Sequence, residues 1–240
     1  MKNRKRSSKR QRDDLIYADA FSDRMDYLEN ARSILSHRKD ARIASIDLET
    51  LMPPGTKFLS GERIIAISIS WIDREIISKV YVAEGDSEDS EYNILSLLNE
   101  KLGELSPDII IGYNHTGYDI PLIQMKIKRM SYSQRLRNIE RALGTAYCLD
   151  MMYVISEDLG KYDGDTYIRK LDDVVAHEKY EHLPLLRVKN LVHLDGRSKA
   201  EAIDYLWKND RDKFVKYCIG DTRDLLLILM DILGLGFPEL

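Results

Sequence analysis

The stretch IASIDLET, residues 43–50, places two carboxylates at the end of an apolar run. Its first four residues are typical of a buried β-strand. Asp47 and Glu49 are two positions apart, so both side chains point to the same side of the sheet. Two like charges on one face of a core-side strand are costly unless a cation lies between them. The pair therefore indicates a metal site, with a strand end that reaches water as the alternative.

The pattern on either side of this strand predicts an α/β fold. Further strands are predicted at 63–71, 76–82, 109–111 and 147–150. Helices are predicted after the acidic segment 84–91 and at about 120–129, 133–143, 167–179 and 210–233, with a polar loop at 161–164. Three antiparallel strands, then a helix, then a fully apolar strand indicate a mixed β-sheet that is flanked by helices.

A second polar group follows the predicted strand at 109–111. Asp119 lies at a loop-to-helix junction, where a helix cap is the simpler interpretation of that residue alone. Asn114 and Tyr118 precede it in a glycine-containing loop at the exit of the strand, which is the usual place for functional side chains in an α/β sheet. We therefore expect this loop to contribute to the same site as Asp47 and Glu49.

The C-terminal helix carries a third group. Asp221 lies one turn after Tyr217, so the carboxylate and the phenol share a helix face. That face is otherwise apolar, with Phe214, Cys218 and Leu225. An i,i+4 pair on the surface is the alternative, but other charged residues already supply the polar face of this helix.

Four carboxylates from three separate elements are a suitable donor set for two divalent cations. Mg²⁺ prefers oxygen ligands, and pairs of such cations stabilise both the attacking and the leaving oxygen of a phosphoryl displacement. The five histidines are scattered and the two cysteines, Cys148 and Cys218, lack metal-type spacing, so we expect no zinc site and two buried free thiols. The sequence also lacks a phosphate-binding P-loop, a Gly-x-Ser-x-Gly elbow and a His-Glu-x-x-His motif.

The length of the chain indicates one domain, and its charge is unevenly distributed between the N-terminus and the rest. The 240 residues are 44% hydrophobic and 32% charged, which is sufficient for one domain with a substantial core. The formal charge of −4 conceals an uneven distribution, because seven of the 36 bases and none of the 40 acids lie in residues 1–12. The rest of the chain carries 29 bases against 40 acids, and such an acidic body is unusual for a protein that binds polyanions.

The N-terminal segments are expected to differ from the rest of the chain. Residues 1–13 form a basic tail without a core-forming pattern and are expected to be disordered, and an amphipathic helix is predicted at 14–38. The tail is expected either to add phosphate contacts or to dock a partner. Neither a signal peptide nor a membrane span is recognisable, so we expect a cytoplasmic protein, associated with the nucleoid if the source is prokaryotic.

Taken together, the three groups resemble the motifs of the DEDDy exonucleases, in the same order and with the same spacing. The motifs are Asp47-Leu48-Glu49-Thr50, Asn114 to Asp119, and Tyr217-Cys-Ile-Gly-Asp221. The chain is most similar to the 3′–5′ proofreading domain of family B DNA polymerases. This branch is indicated by the Asn that begins the second motif, by the Tyr-Cys-x-x-Asp form of the third, and by the segments 149–153 and 170–174 between them. The likeness covers about residues 40–232.

The resemblance implies a ribonuclease H-like (DnaQ-like) fold in a domain at 40–240 and hydrolysis of the 3′-terminal phosphodiester of DNA with two Mg²⁺ or Mn²⁺ ions. It implies that Asp47 bridges both cations, that Glu49 and Asp221 complete the site of the nucleophilic metal, and that Asp119 supports the second cation. Tyr217 would orient the attacking water. The residues implied to border the terminal nucleotide are Leu48, Thr50, Asn114 and Tyr118.

The expected partners are single-stranded DNA or the 3′ ends of duplex DNA, together with a replication or repair protein. Nothing in the chain resembles the palm motifs of a polymerase, so we expect no DNA synthesis. We expect a stand-alone exonuclease, or a subunit that lends this activity to a partner, with a role in repair or proofreading. Two alternatives stay open. One is an exoribonuclease that trims RNA 3′ ends, since two-metal hydrolysis does not distinguish ribose from deoxyribose. The other is a non-catalytic nucleic-acid-binding scaffold with the same fold.

Overall fold

The structure is a computed structural model that describes residues 27–37, 41–52, 61–129, 135–161, 167–194 and 196–236. The predicted basic tail at 1–13 lies outside the described residues, as does the part of the predicted N-terminal helix that precedes residue 27. The remaining part of that helix is present as α1 and packs on the domain, with the ring of Tyr27 stacked on that of Tyr153 at a centroid distance of 4.8 Å.

The described residues form one five-stranded sheet with helices on both faces. The strands are β1 (Ile43–Leu51), β2 (Arg63–Ile72), β3 (Ile76–Val82), β4 (Ile109–Gly112) and β5 (Tyr147–Asp150). The α-helices are α1 (Tyr27–His37), α2 (Glu88–Leu105), α3 (Asp119–Arg129), α4 (Arg137–Thr145), α5 (Met151–Asp158), α6 (Leu171–Val175), α7 (Lys199–Asn209) and α8 (Arg211–Leu233), and short 3-10 helices lie at Glu178–Tyr180 and Val188–Val192.

The sheet has the strand order β3-β2-β1-β4-β5 and mixed direction. β1, β2 and β3 pair as an antiparallel meander, whereas β4 joins β1 and β5 joins β4 in parallel. The three isoleucines of β4 are all buried, as expected for a parallel strand that is covered on both faces. The predicted mixed α/β sheet is therefore confirmed.

Side-chain alternation along β1 divides the core into two layers. Ala44, Ile46 and Leu48 join an apolar cluster with α2 and α3, whereas Ile43 joins a cluster with α8. Because alternate side chains point to opposite faces of a strand, the odd-numbered Asp47 and Glu49 face α8. This places both carboxylates on the side of the sheet that the C-terminal helix covers.

A β-bulge interrupts the pairing of β1 with β2 beside the two carboxylates. Glu49 pairs with Ala66, but Thr50 pairs with Ile64, so β2 carries one extra residue, Ile65. Ile65 and Ala66 consequently both pack in the cluster with α7 and α8, while Ile64 packs on the opposite face with α2 and α3. The bulge therefore changes which face of the sheet the preceding residues of β2 occupy.

One helix prediction was wrong, and two helices were not predicted. The single helix predicted at 167–179 is the five-residue α6 followed by a 3-10 turn, because Nδ1 of His177 accepts the N–H of Lys179 at 3.2 Å and starts a new turn. The helices α5 and α7 were not predicted. The start of α7 is marked by a capping box of Ser198 and Glu201, a signal that is readable in the sequence.

The two cysteines are free, as expected, although only Cys218 is fully buried. Cys148 is half-buried, and burial raises the pKa of its thiol to about 11, which keeps it protonated and unreactive near neutral pH. No helix within the described ranges is long and apolar enough to cross a membrane.

Replacing Gly220 by alanine is expected to destabilise the protein by up to about 2 kcal/mol. A Cβ atom at this position of α8 would lie 2.2 Å from Cγ2 of Val188. Overpacking of this kind costs about 1–3 kcal/mol, which outweighs the roughly 1 kcal/mol that alanine gains over glycine within a helix. Urea denaturation of the two proteins measures the difference.

The same substitution made in a Val188→Ala background should instead increase the free energy of unfolding, because the clashing methyl group is gone and only the helix propensity remains. Equal destabilisation in both backgrounds would contradict the steric explanation. The close approach matters for the site, since it lets the segment that leads to α7 lie against α8 next to Asp221.

Candidate active site

Three of the predicted metal ligands converge at the end of β1. Asp47 and Glu49 project from β1 toward α8, and Asp221 projects from α8. One carboxylate oxygen from each residue lies within 4.8 Å of the others. Glu49 and Asp221 are buried and Asp47 is half-buried. A group of three carboxylates with this spacing and burial has the donor chemistry of a site for a hard divalent cation.

Asp119 lies next to this group but is held by the backbone. It is the first residue of α3, is 5% exposed, and accepts the N–H of Leu48 at 3.1 Å. Burial raises the pKa of Asp119 well above its usual range, and the charges of Asp47 and Glu49 add to that effect. The fourth predicted ligand is thus within electrostatic reach of the first two, although it lies outside the tight group of three.

Tyr217 is buried one helical turn before Asp221. Burial raises the pKa of its phenol far above the usual value, and the charges of Glu49 and Asp221 raise it further. The hydroxyl therefore remains protonated near neutral pH. A group in this state can orient another molecule by hydrogen bonding, but it does not act as a base.

A cleft of about 980 Å³ opens beside the carboxylates. Asp47, Glu49 and Asp221 line one part of it. All four residues predicted to border a terminal nucleotide also line it, namely Leu48, Thr50, Asn114 and Tyr118. Asp119 and Tyr217 are not among the lining residues, which agrees with their deeper burial.

Four basic side chains line the same cleft: Arg169, Lys170, Arg197 and Lys199. The first two precede α6, and the other two lie at the start of α7. Sequence reasoning did not identify these four residues. Because the chain beyond the basic tail is acidic, this local concentration of cations gives the cleft a surface that suits phosphate groups.

The loop that carries Asn114 is held by Asp150, which sequence reasoning did not assign a role. Asp150 is 5% exposed at the end of β5. Its carboxylate accepts the backbone N–H of Asn114 at 2.8 Å, the N–H and hydroxyl of Thr116 at 3.2 and 2.6 Å, and the N–H of Met152 at 3.1 Å. The available sequence signal was that an Asp directly before the apolar run 151–155 is a good N-cap.

Asp150 also explains an unusual backbone conformation. Asn114 has a φ of 57°, in the left-handed region that asparagine tolerates better than most residues. Its carbonyl accepts the N–H groups of Gly117 and Tyr118 at 3.1 Å, which closes the turn. A Cβ atom at residue 117 would lie 2.8 Å from the side-chain oxygen of Asn114, so a larger residue there would displace the Asn114 side chain. The turn directs Asn114 toward the cleft and Asp119 toward β1.

Together, the mixed sheet, the flanking helices and the acidic group beside a cleft define a ribonuclease H-like domain of the exonuclease class. Residues 16–146 match the exonuclease domain of DNA polymerase family B. Because this match covers more than half of the chain, the protein belongs to that family. The matched region includes Asp47, Glu49 and Asp119, whereas the third motif with Tyr217 and Asp221 lies beyond it and joins the site through the fold.

A solved structure supports the same fold. The chain is similar to the family B DNA polymerase from the hyperthermophilic archaeon Pyrobaculum calidifontis, with a TM-score of 0.55 and 17% sequence identity. The likeness covers 80% of this chain and 24% of the polymerase, so this protein spans about a quarter of the length of that relative. It confirms the predicted ribonuclease H-like architecture. A comparison with curated proteins finds no match.

Proposed function

We propose that the protein is a divalent-metal-dependent 3′–5′ exonuclease that hydrolyses the 3′-terminal phosphodiester of DNA. The observation that carries this proposal is the convergence of Asp47, Glu49 and Asp221 at a cleft, in a chain of an exonuclease family. The relative's printed name, a DNA polymerase, favours DNA as the substrate. We also propose a role in repair or proofreading, in association with a replication or repair protein, which membership of the same family supports.

The acidic group would hold two Mg²⁺ or Mn²⁺ ions. Asp47, Glu49 and Asp221 would be the principal ligands, and Asp119 would support the second cation. When bound, such cations supply an acidified water and neutralise the negative charge that develops on the phosphate oxygens. The donor set fits this assignment, because all of its members are carboxylates and Mg²⁺ and Mn²⁺ prefer oxygen ligands.

The other residues bind and orient the substrate. Tyr217 remains protonated, so it would orient the attacking water by a hydrogen bond and would not remove its proton. Leu48, Thr50, Asn114 and Tyr118 would border the terminal nucleotide, since all of them line the cleft. The four bases that line the cleft would contact the phosphates of the strand, which sets its position without reading its sequence.

The proposal is tested with 5′-labelled single-stranded DNA, duplex DNA and RNA, each in Mg²⁺, in Mn²⁺ and in EDTA. We expect a ladder that shortens from the 3′ end, depends on the metal, and forms fastest on single-stranded DNA. Circular single-stranded DNA is the matched control and should stay intact, because it has no 3′ end.

Each other outcome selects an alternative. Cleavage of the circle would indicate an endonuclease. Degradation of RNA but not of DNA would indicate an exoribonuclease. Binding of oligonucleotides without cleavage in either metal would indicate a non-catalytic scaffold.

A further inference from the structure

A buried carboxylate, Glu62, lies behind the wall of the cleft. It is 2% exposed and immediately precedes β2. Its carboxylate accepts a hydrogen bond from the phenol of Tyr118 and another from the hydroxyl of Thr50, at 3.3 Å in the second case. The oxygens of Thr50 and Tyr118 are themselves 2.8 Å apart. Three polar groups, from β1, from the residue before β2 and from the loop before α3, thus form one connected cluster.

The β-bulge at Ile65 is what brings Glu62 to this cluster. Ile64 pairs with Thr50 and packs on the α3 side of the sheet, so Glu62, two positions earlier, belongs to the same side. Without the extra residue the alternation would be reversed, and the carboxylate would face α7 and α8. Bulges beside active sites commonly redirect a side chain in this way.

The backbone around Glu62 is fixed independently of its carboxylate. Lys126 of α3 donates a hydrogen bond to the carbonyl of Glu62 and forms an ion pair with Glu91 at 2.8 Å. Glu91 also accepts the N–H of Ile64 and pairs with Arg63, each at 2.8 Å. Glu91 therefore stabilises the start of β2, whereas Glu62 directs its carboxylate toward the residues of the cleft wall.

Thr50 and Tyr118 are the two of these groups that reach the cleft, while Glu62 is not among its lining residues. The phenol of Tyr118 donates to the carboxylate of Glu62 and lies 2.8 Å from the hydroxyl of Thr50, so both hydroxyls are held in place by hydrogen bonds. A side chain whose rotamer is already fixed loses less conformational entropy when a ligand binds. Because Glu62 fixes the hydroxyls of Thr50 and Tyr118 before a ligand binds, it favours binding of a ligand that contacts this side of the cleft.

We propose that Glu62 is a positioning residue for the 3′-terminal nucleotide. It does not contact the nucleotide itself, but it fixes the side chains of Thr50 and Tyr118 that do. The inference rests on the proposed exonuclease function and extends it to a residue outside the three motifs. It assigns a role to the bulge as well, since only the shifted register lets β2 supply this carboxylate to the cleft wall.

The test compares Glu62→Gln with the wild-type protein in steady-state hydrolysis of 5′-labelled single-stranded DNA. A neutral amide accepts weaker hydrogen bonds than a carboxylate. We expect KM to rise by about fivefold to tenfold with kcat changed by less than about twofold, because interactions made equally in the ground state and the transition state affect KM. The dissociation constant of the same oligonucleotide, measured by fluorescence anisotropy in Ca²⁺, should rise in parallel.

Glu91→Gln is the matched control, since Glu91 is similarly buried in the adjoining ion-pair cluster. We expect it to lower the free energy of unfolding without changing KM. Tyr118→Phe removes the donor that Glu62 binds, and it should raise KM on its own. The double variant Glu62→Gln/Tyr118→Phe should raise KM by less than the product of the two single effects, because residues in one hydrogen-bond network are coupled.

An increase in KM of the same size in Glu91→Gln would overturn the inference, since a general loss of stability would then explain it. The inference would also be overturned if the increase in KM of the double variant equalled the product of the two single increases. If Glu62→Gln/Tyr118→Phe does not fold, Glu62→Gln/Thr50→Val provides the same comparison. If the wild-type protein hydrolyses no 3′ ends, the proposed function fails and the inference fails with it. If hydrolysis is normal and Glu62→Gln matches wild type, only the inference fails.

Discussion

Replacing Asp47 by asparagine is expected to lower the rate of DNA hydrolysis by about a thousandfold or more. Asp47 is a member of the tight group of carboxylates and also lines the cleft. Charge stabilisation by bound cations supplies several kcal/mol to reactions of this kind, which corresponds to roughly three orders of magnitude in rate. The measurement is single-turnover hydrolysis of 5′-labelled single-stranded DNA in Mg²⁺ and in Mn²⁺.

Although Asp47→Asn should lower the rate of hydrolysis, it should stabilise the folded protein when no metal is added. The charge of Asp47 is one of the causes that raise the pKa of Asp119, so removing it relieves repulsion in the folded state. In EDTA we therefore expect Asp47→Asn to unfold at a higher temperature than wild type. Added Mn²⁺ should stabilise the wild-type protein by binding the folded state, but should stabilise the variant much less.

Asp204→Asn is the matched control for this pair of measurements. Asp204 forms an i,i+4 ion pair with Lys208 on α7 and does not line the cleft. Surface pairs of this kind contribute at most about 1 kcal/mol, so hydrolysis and the response to Mn²⁺ should match wild type. Near-normal hydrolysis by Asp47→Asn, or equal stabilisation of both variants by Mn²⁺, would contradict the assignment of Asp47 as a metal ligand.

Replacing Asp150 by alanine is expected to lower the free energy of unfolding by about 3–5 kcal/mol. The substitution removes the acceptor for the N–H groups of Asn114, Thr116 and Met152 and for the hydroxyl of Thr116. Removing the acceptor leaves buried donors unpaired, which makes the loss large, but the four contacts share one carboxylate and do not add in full, since single substitutions rarely cost more than about 4–5 kcal/mol. Urea denaturation of the two proteins measures the change.

Thr116→Val provides the control for Asp150, because it removes one hydroxyl contact and leaves the three backbone contacts in place. We expect a loss of about 1 kcal/mol for that variant. Hydrolysis should fall more in Asp150→Ala than in Thr116→Val at temperatures where both are folded, since only the former releases the backbone of Asn114. A loss of stability no larger than that of Thr116→Val would show that Asp150 does not anchor the loop.

The sequence predicted the strands of the sheet better than it predicted the helices. The strands were predictable because continuous apolar runs such as residues 109–111 are typical of strands covered on both faces. The helix prediction failed at 167–179, where a single side chain, His177, starts a new turn through a local hydrogen bond. The eight-residue α5 was missed because it directly follows β5 and is too short for a clear periodic pattern.

The order and spacing of Asp47, Glu49, Asp119, Tyr217 and Asp221 were readable in the sequence by itself. Spacing inside one strand or one helix determines which side chains share a face, and this geometry is local. It therefore predicted an acidic group, and the carboxylate donors predicted a cation that prefers oxygen ligands, which stays a prediction. The family match later covered the first two motifs, but not the third.

Only the tertiary structure decided which residues support that group. Asp150 contacts Asn114 across 36 positions of the chain, and Glu62 contacts Tyr118 across 56. The role of Glu62 depends in addition on a one-residue bulge, which shifts the register without leaving a mark in the hydrophobic pattern. The bases Arg197 and Lys199 face the cleft because α7 packs beside α8. Such contacts are set by packing between distant segments, so no local spacing could have indicated them.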